Sequence, residues 1–192
     1  LFLLSRYSRL AAHRHCDKHV VKMILEATQM LYTAWGNKPA PCPDGLQPYK
    51  KTHVNHPMCR WVRARKEHYL FTCKFALDLC EEYTKRYSRE HACEKRIRHL
   101  MQSMPTPVPC ELDEARVARS GLPKGIEWFP LAMPEDCMKR DDTGELNAVE
   151  SYKKYYAYKS KHMVMKWNKG KYKRRRIQIK YSCRNTQRNP CP

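Results

Sequence analysis

Asp17-Lys18-His19-Val20-Val21-Lys22-Met23-Ile24-Leu25-Glu26-Ala27-Thr28-Gln29-Met30-Leu31-Tyr32-Thr33-Ala34-Trp35 is the stretch that decides the fold class of this chain. Val20, Val21, Ile24, Leu25, Thr28, Leu31 and Tyr32 recur at the three- and four-residue intervals of one helical face. Asp17 is a natural N-cap, and Gly36 followed by Pro39 stops the run. A helix of that length with an apolar stripe must lay the stripe against other helices. The expectation is a mainly α, compact single-domain fold.

The pattern continues on both sides. A shorter helical turn from Ser8 to His15 precedes the long helix, and residues 36–52 form a Pro/Gly/Lys loop. His56-Pro57 opens a second long helix, with proline at its first position and a stripe of Trp61, Tyr69, Cys73, Ala76, Leu77, Cys80 and Tyr83. Ser88 is read as the cap of a third helix reaching Met101, with Cys93, Ile97 and Leu100 inward. Pro105, Pro107 and Pro109 make a stiff connector, and a small helix is expected over Glu111–Arg119. Asn147 with Glu150 starts the last helix, which carries Tyr152, Tyr155, Tyr156, Lys159 and Met163 on one face. Beyond Trp167, the alternation of Ile177, Ile179 and Tyr181 allows a short strand. Two regions follow: a helical domain over 1–167 and a basic C-terminal tail over 168–192.

Charge points to the partner. The formal net charge is +19, from 38 Lys/Arg against 19 Asp/Glu. Residues 1–150 hold 24 of the cations and all 19 acids, whereas residues 151–192 hold 14 cations and no acid. A run with no internal relief from self-repulsion expects a polyanion, above all nucleic acid. No stretch approaches 18 consecutive apolar residues, so no membrane span is expected. Leu1-Phe2-Leu3-Leu4 is too short for the core of a signal peptide, and the sequence does not open on methionine. The ten cysteines include no Cys-x-x-Cys pair. They read as mostly free thiols of a reducing, intracellular compartment, with Cys183 and Cys191 left open for a bridge or a metal.

Three constellations could carry function. His19, Lys22 and Glu26 stand at i, i+3 and i+7 and share a helix face. They are either a Lys22–Glu26 surface pair or a cationic face, with Lys18 beside it, around one carboxylate. Thr52-His53-Val54-Asn55-His56-Pro57 followed by Arg60 reads as a basic loop entering a helix, suited to phosphates. His53, Asn55, His56 and Arg60 are its candidate contacts. His56 and Cys59 lie three apart, but no second pair completes a tetrahedral site, so no metal and no cofactor is expected. Tyr152-Lys153-Lys154-Tyr155-Tyr156-Ala157-Tyr158-Lys159 interleaves aromatics with lysines. It makes Tyr155, Tyr156 and Lys159 candidates for stacking and phosphate contact, with Arg174, Arg175 and Arg176 of the tail as further cations.

These pieces together resemble the pyrimidine-dimer DNA glycosylase family, in its branch from phages and large DNA viruses. The resemblance rests on His15-Cys16-Asp17-Lys18-His19-Val20-Val21-Lys22-Met23-Ile24-Leu25-Glu26, on Thr52 to Pro57, on Cys80-Glu81-Glu82-Tyr83, on Ala132-Met133-Pro134 and on Tyr152 to Tyr156, in order across residues 1–167. It implies a compact helical glycosylase fold and a DNA repair activity on damaged duplex DNA. The α-amine that begins the mature chain would attack the sugar C1′, and a Schiff base would lead to strand cleavage by β-elimination. It places the catalytic carboxylate at Glu26, assisted by His19. Where the characterised enzyme carries arginines just before that carboxylate and one turn after it, this chain has Leu25 and Gln29. The alternative expectation is the same fold without catalysis, serving as a nucleic-acid-binding or structural component of a virion or ribonucleoprotein assembly.

Overall fold

The computed structural model describes residues 1–111 and 113–167. Among these the chain is mainly helical. α1 spans Ser8–Arg14, α2 Asp17–Ala34, α3 Pro57–Ala64, α4 Lys66–Tyr87, α5 Glu94–Met101 and α6 Ala148–His162. Two-residue strands β1 (Val117–Ala118) and β2 (Phe129–Pro130) pair antiparallel. No helix among the described residues is long and apolar enough to cross a membrane.

α2 and α4 are the central pair; α1 and α5 pack on α4, and α3 bridges both. Val20, Ile24, Ala27 and Leu31 of α2 meet a core that includes Trp61, Tyr69, Cys73, Phe75, Leu79 and Cys80. The expected helix–helix core is therefore present, with a corrected phase. Val21 and Leu25 are 37% exposed each, and Leu77 is only partly buried, while Leu79 is fully buried. The second long helix is also broken. Arg65 is extended (φ −145°, ψ 152°) and divides it into α3 and α4. Long-range contacts hold the break: Trp61 Nε1 donates to Trp128 O at 2.8 Å, Arg65 pairs with Glu127 at 2.7 Å, and the His68 ring stacks on Trp61 at 4.3 Å.

The caps also differ in part. Cys16, not Asp17, is the N-cap of α2, and Asp17 bonds Arg86 at 3.0 Å. Arg86 is buried and also bonds Glu82, His15 O and His13 O, so one guanidinium ties the α1–α2 corner to α4. Ser88 ends α4 in the left-handed region (φ 56°) instead of starting the next helix, which is capped by Cys93. The expected helix over 111–119 reduces to a 3-10 turn at Glu114–Arg116, because the chain there pairs with β2 and Leu131 N–H donates to Arg116 O. Asn147 caps α6 as expected, accepting from Glu150 N–H at 3.0 Å. After α6 the chain turns back over the α1–α2 corner. Asp17 N–H donates to Lys166 O at 2.8 Å, and Trp167 Nε1 donates to Arg14 O at 3.1 Å. The eight cysteines among the described residues are free thiols. Burial pushes Cys73 up to about 12 and Cys80 higher still, as suits core thiols. The candidate strand at 177–181, Cys183 and Cys191 lie outside the described residues.

Candidate functional site

Leu1 and Phe2 lie at the centre around which the separate sequence motifs gather. Leu1 and Phe2 are each 8% exposed, and the Leu1 nitrogen is buried. Burial pushes an amine at this nitrogen below its ordinary value, with the Glu26 carboxylate and the Cys59 thiol opposing and Lys22 reinforcing. His15, His19 and His56 lie within electrostatic reach of the same nitrogen. Residues from α2, from the loop before α3, and from α3 itself thus face one point. α6 completes the ring through Phe2, whose ring lies 4.8 Å from His19, 5.4 Å from Tyr156 and 5.9 Å from Tyr155. Lys159 Nζ stands over the Phe2 and Tyr155 rings at 5.8 and 4.9 Å.

Hydrogen bonding fixes the chemistry of two histidines. Tyr156 hydroxyl accepts from Cys16 N–H at 2.6 Å, so its own hydrogen is free to donate to His19 Nδ1 at 2.9 Å. His19 is then the tautomer that carries its proton on Nε2, and it acts as a donor. Burial, with Lys159 and Lys22 nearby, holds it down to about 4. His15 has the opposite tautomer. Its Nδ1 lies 2.7 Å from Ala11 O, which can only accept, so Nδ1 holds the proton. Its Nε2 is a buried lone pair with no partner among the described residues. Burial pushes His15 down to about 3. Both rings are neutral at physiological pH.

Glu26 is the carboxylate of this cluster. It is half-buried, and Lys22 Nζ meets it at 3.1 Å. Lys18 and Lys22 are exposed on the outer side of α2. The loop before α3 ends in a tight turn: His56 N–H donates to His53 O at 2.8 Å, and His53 adopts φ 49°. His56 Nδ1 then accepts from Met58 N–H at 3.1 Å and caps α3. Solvent loss around the His56 ring, the charge at Leu1 and the neighbouring His53 all keep His56 below its ordinary value.

His19, Lys22, Glu26, His56, Tyr155 and Lys159 are therefore brought together. His53 and Asn55 are exposed on the adjoining turn, and Arg60 lies one helical turn beyond, donating to Glu111 O at 3.3 Å. Tyr156 does not offer a face for stacking. It is buried, and its hydroxyl is used internally, so it positions His19. Arg174, Arg175 and Arg176 lie outside the described residues. Sequence reasoning missed His15, Phe2 and Cys59, which gain their place only from long-range packing. Among the described residues no cluster of three or more His, Cys, Asp or Glu could hold a metal ion. Comparisons with protein-family models, curated proteins and solved structures give no match.

Proposed function

We propose that this chain is a DNA glycosylase with associated lyase activity on damaged duplex DNA, built on the fold of the pyrimidine-dimer glycosylases. One observation carries the reading: His19 and Glu26 of α2 with Lys22 beside them, the Phe2 ring, and Tyr155 and Lys159 of α6 gather at one place from distant parts of the chain. An α-amine presented to the substrate beside Glu26 would suit nucleophilic attack, because partial loss of solvent favours its neutral form. The amine forms a bond to C1′ as the damaged base leaves with its electron pair. Loss of the amine proton and ring opening give an imine. Removal of a C2′ proton then expels the 3′ phosphate, and water releases the sugar and restores the amine. In this reading Glu26 takes and returns those protons. His19 Nε2–H is a fixed neutral donor for a developing oxyanion. Lys18, Lys22, Lys159 and Arg60 meet phosphates, together with the acid-free tail. The eight free thiols among the described residues suit a reducing intracellular compartment or a virion assembled in one.

The test is reductive trapping. Borohydride with duplex containing an abasic site fixes the imine, so the chain with its native α-amine exposed should give a covalent adduct. Glu26→Gln should abolish turnover and leave duplex binding near the parent level. Absence of any adduct overturns catalysis.

A second reading is favoured by one contact. Lys22 neutralises Glu26 at 3.1 Å, and Leu25 and Gln29 stand where the family carries arginines. The fold would then serve as a nucleic-acid-binding component of a virion or ribonucleoprotein assembly. In that case duplex binding persists with no adduct.

A further inference from the structure

The turn that follows the proline-rich loop has features that its hydrogen-bonding role at α3 does not require. Val54 sits at its tip, 44% exposed. A single exposed valine is ordinary; this one rides on a backbone fixed from several sides. Arg63 Nη1 donates to Val54 O at 2.7 Å, and His56 N–H closes the turn onto His53 O at 2.8 Å. On the incoming side, Thr52 N–H donates to Thr33 Oγ1 of α2 at 3.2 Å. His53 is held in the left-handed region (φ 49°), which a side chain with a Cβ avoids unless the surroundings impose it. The result is a rigid, outward-pointing apolar tip flanked by two exposed hydrogen-bonding side chains, His53 and Asn55.

The surroundings define the occupant. Residues 45–66 contain six Lys/Arg and no Asp/Glu. Arg65 is spent on Glu127, but Arg60 and Arg63 have only carbonyl partners here, and Lys51 has an amide oxygen. An apolar tip inside an acid-free cationic rim fits a ligand that is anionic outside and flat and apolar inside. The turn is also tied to α2, the helix that carries His19 and Glu26, through the bond from Thr52 N–H to Thr33 Oγ1.

We propose that the His53–His56 turn is a wedge for duplex nucleic acid, with the Val54 side chain entering the base stack at a step weakened by a missing or extruded base. The inference rests on the reading of the adjoining cleft as one that handles damaged duplex. The rigid backbone lowers the ordering cost of insertion, and the apolar side chain replaces stacking lost at the gap.

The test uses the full chain and two duplexes of one sequence, fully paired or carrying a stable abasic analogue, each with 2-aminopurine beside the site. The parent should prefer the abasic duplex by roughly tenfold and raise 2-aminopurine fluorescence on binding, a stacking-sized discrimination. Val54→Ala should remove most of that preference and the fluorescence rise. Its affinity for paired duplex, the salt dependence of that affinity and its melting temperature should stay unchanged. Val54→Leu should retain the preference. If Val54→Ala keeps both preference and fluorescence, or if the parent shows no preference, the wedge is overturned. Stronger capture by anionic vesicles than by either duplex overturns it as well. Borohydride trapping reports on the cleft separately, so a trapped adduct with an unchanged Val54→Ala preference sinks the wedge and leaves the cleft reading standing.

Discussion

Replacing Tyr156 by phenylalanine isolates the link between α6 and the cleft. The substitution keeps the ring that packs on Phe2 and His19 and deletes one hydroxyl. That oxygen serves two groups, the N–H of fully buried Cys16 and Nδ1 of His19, which is 5% exposed. A buried polar group left without a partner costs about 1–3 kcal/mol. With two such groups stranded, and little volume changed, the expected loss is about 3 kcal/mol. For a chain of this size that is roughly 6–12 °C in melting temperature. Stability also has a pH signature. His19 is held to about 4 and His15 to about 3, both below the ordinary value of 6.5. Above pH 6.5 both rings are neutral, folded or unfolded, and stability is at its full value. As pH falls from 6.5 toward 4, the unfolded chain binds protons that the folded chain refuses, so stability declines. Each such proton contributes up to about 1.4 kcal/mol per pH unit. Deleting the hydroxyl leaves the burial and the Lys159 and Lys22 charges that hold His19 down, so the variant should keep most of this slope and its loss should be nearly constant from pH 7 to 5. Urea unfolding at pH 7, 6 and 5, with NMR titration of the His19 ring, measures both effects. A variant within about 0.5 kcal/mol of the parent at pH 7, or a parent His19 that titrates near 6.5, refutes the reasoning.

Other outcomes follow from packing and charge. Leu79→Ala should cost about 2–5 kcal/mol and Leu77→Ala distinctly less, because only the first is fully enclosed; denaturant midpoints compare them. Arg86→Met should destabilise by roughly 3–5 kcal/mol, since it removes the buried guanidinium that bonds Asp17, Glu82 and the carbonyls of His13 and His15 at a corner with little solvent, and chemical unfolding reads it directly. Removing residues 168–192, with nine Lys/Arg and no acid, should weaken duplex binding and flatten its dependence on salt; titrations at several salt concentrations give the slope.

Much of this architecture is legible in local pattern. The long α2 helix, the proline start of α3, the asparagine cap of α6 and the inward Cys93, Ile97 and Leu100 all depend on neighbours within one or two turns. The break at Arg65 was not legible, because no glycine or proline marks it. Its cause is distant, in Trp128 and Glu127. The expected stripe of Trp61, Tyr69, Cys73, Ala76, Cys80 and Tyr83 stays buried across the break; Phe75 and Leu79 widen it, and Leu77 lies at its edge. Pairing with β2 likewise overrides the helical reading of 111–119. At the cleft, the i, i+3, i+7 set of His19, Lys22 and Glu26 was readable. Its enclosure by Leu1, Phe2 and α6 was not, because those contacts span more than 130 residues for Tyr156. The stacking role expected of Tyr156 failed for the same reason: an aromatic between lysines looks alike whether it faces solvent or a buried histidine.

The return of the chain over the start of α2 has a consequence for selectivity. The opening amides of a helix are a ready receptor for anions, with a fixed partial charge that needs no side chain. Here the Cys16 amide is taken by the Tyr156 hydroxyl and the Asp17 amide by the Lys166 carbonyl. The molecule has thus occupied two of those amides with its own acceptors. An anion entering the cleft is then met chiefly by lysine, arginine and histidine side chains, groups that substitution can remove or reverse one at a time. Changing Lys18, Lys22 and Lys159 to acids should therefore redirect the scaffold toward cationic ligands, with a weakened contrary pull from that end of the backbone.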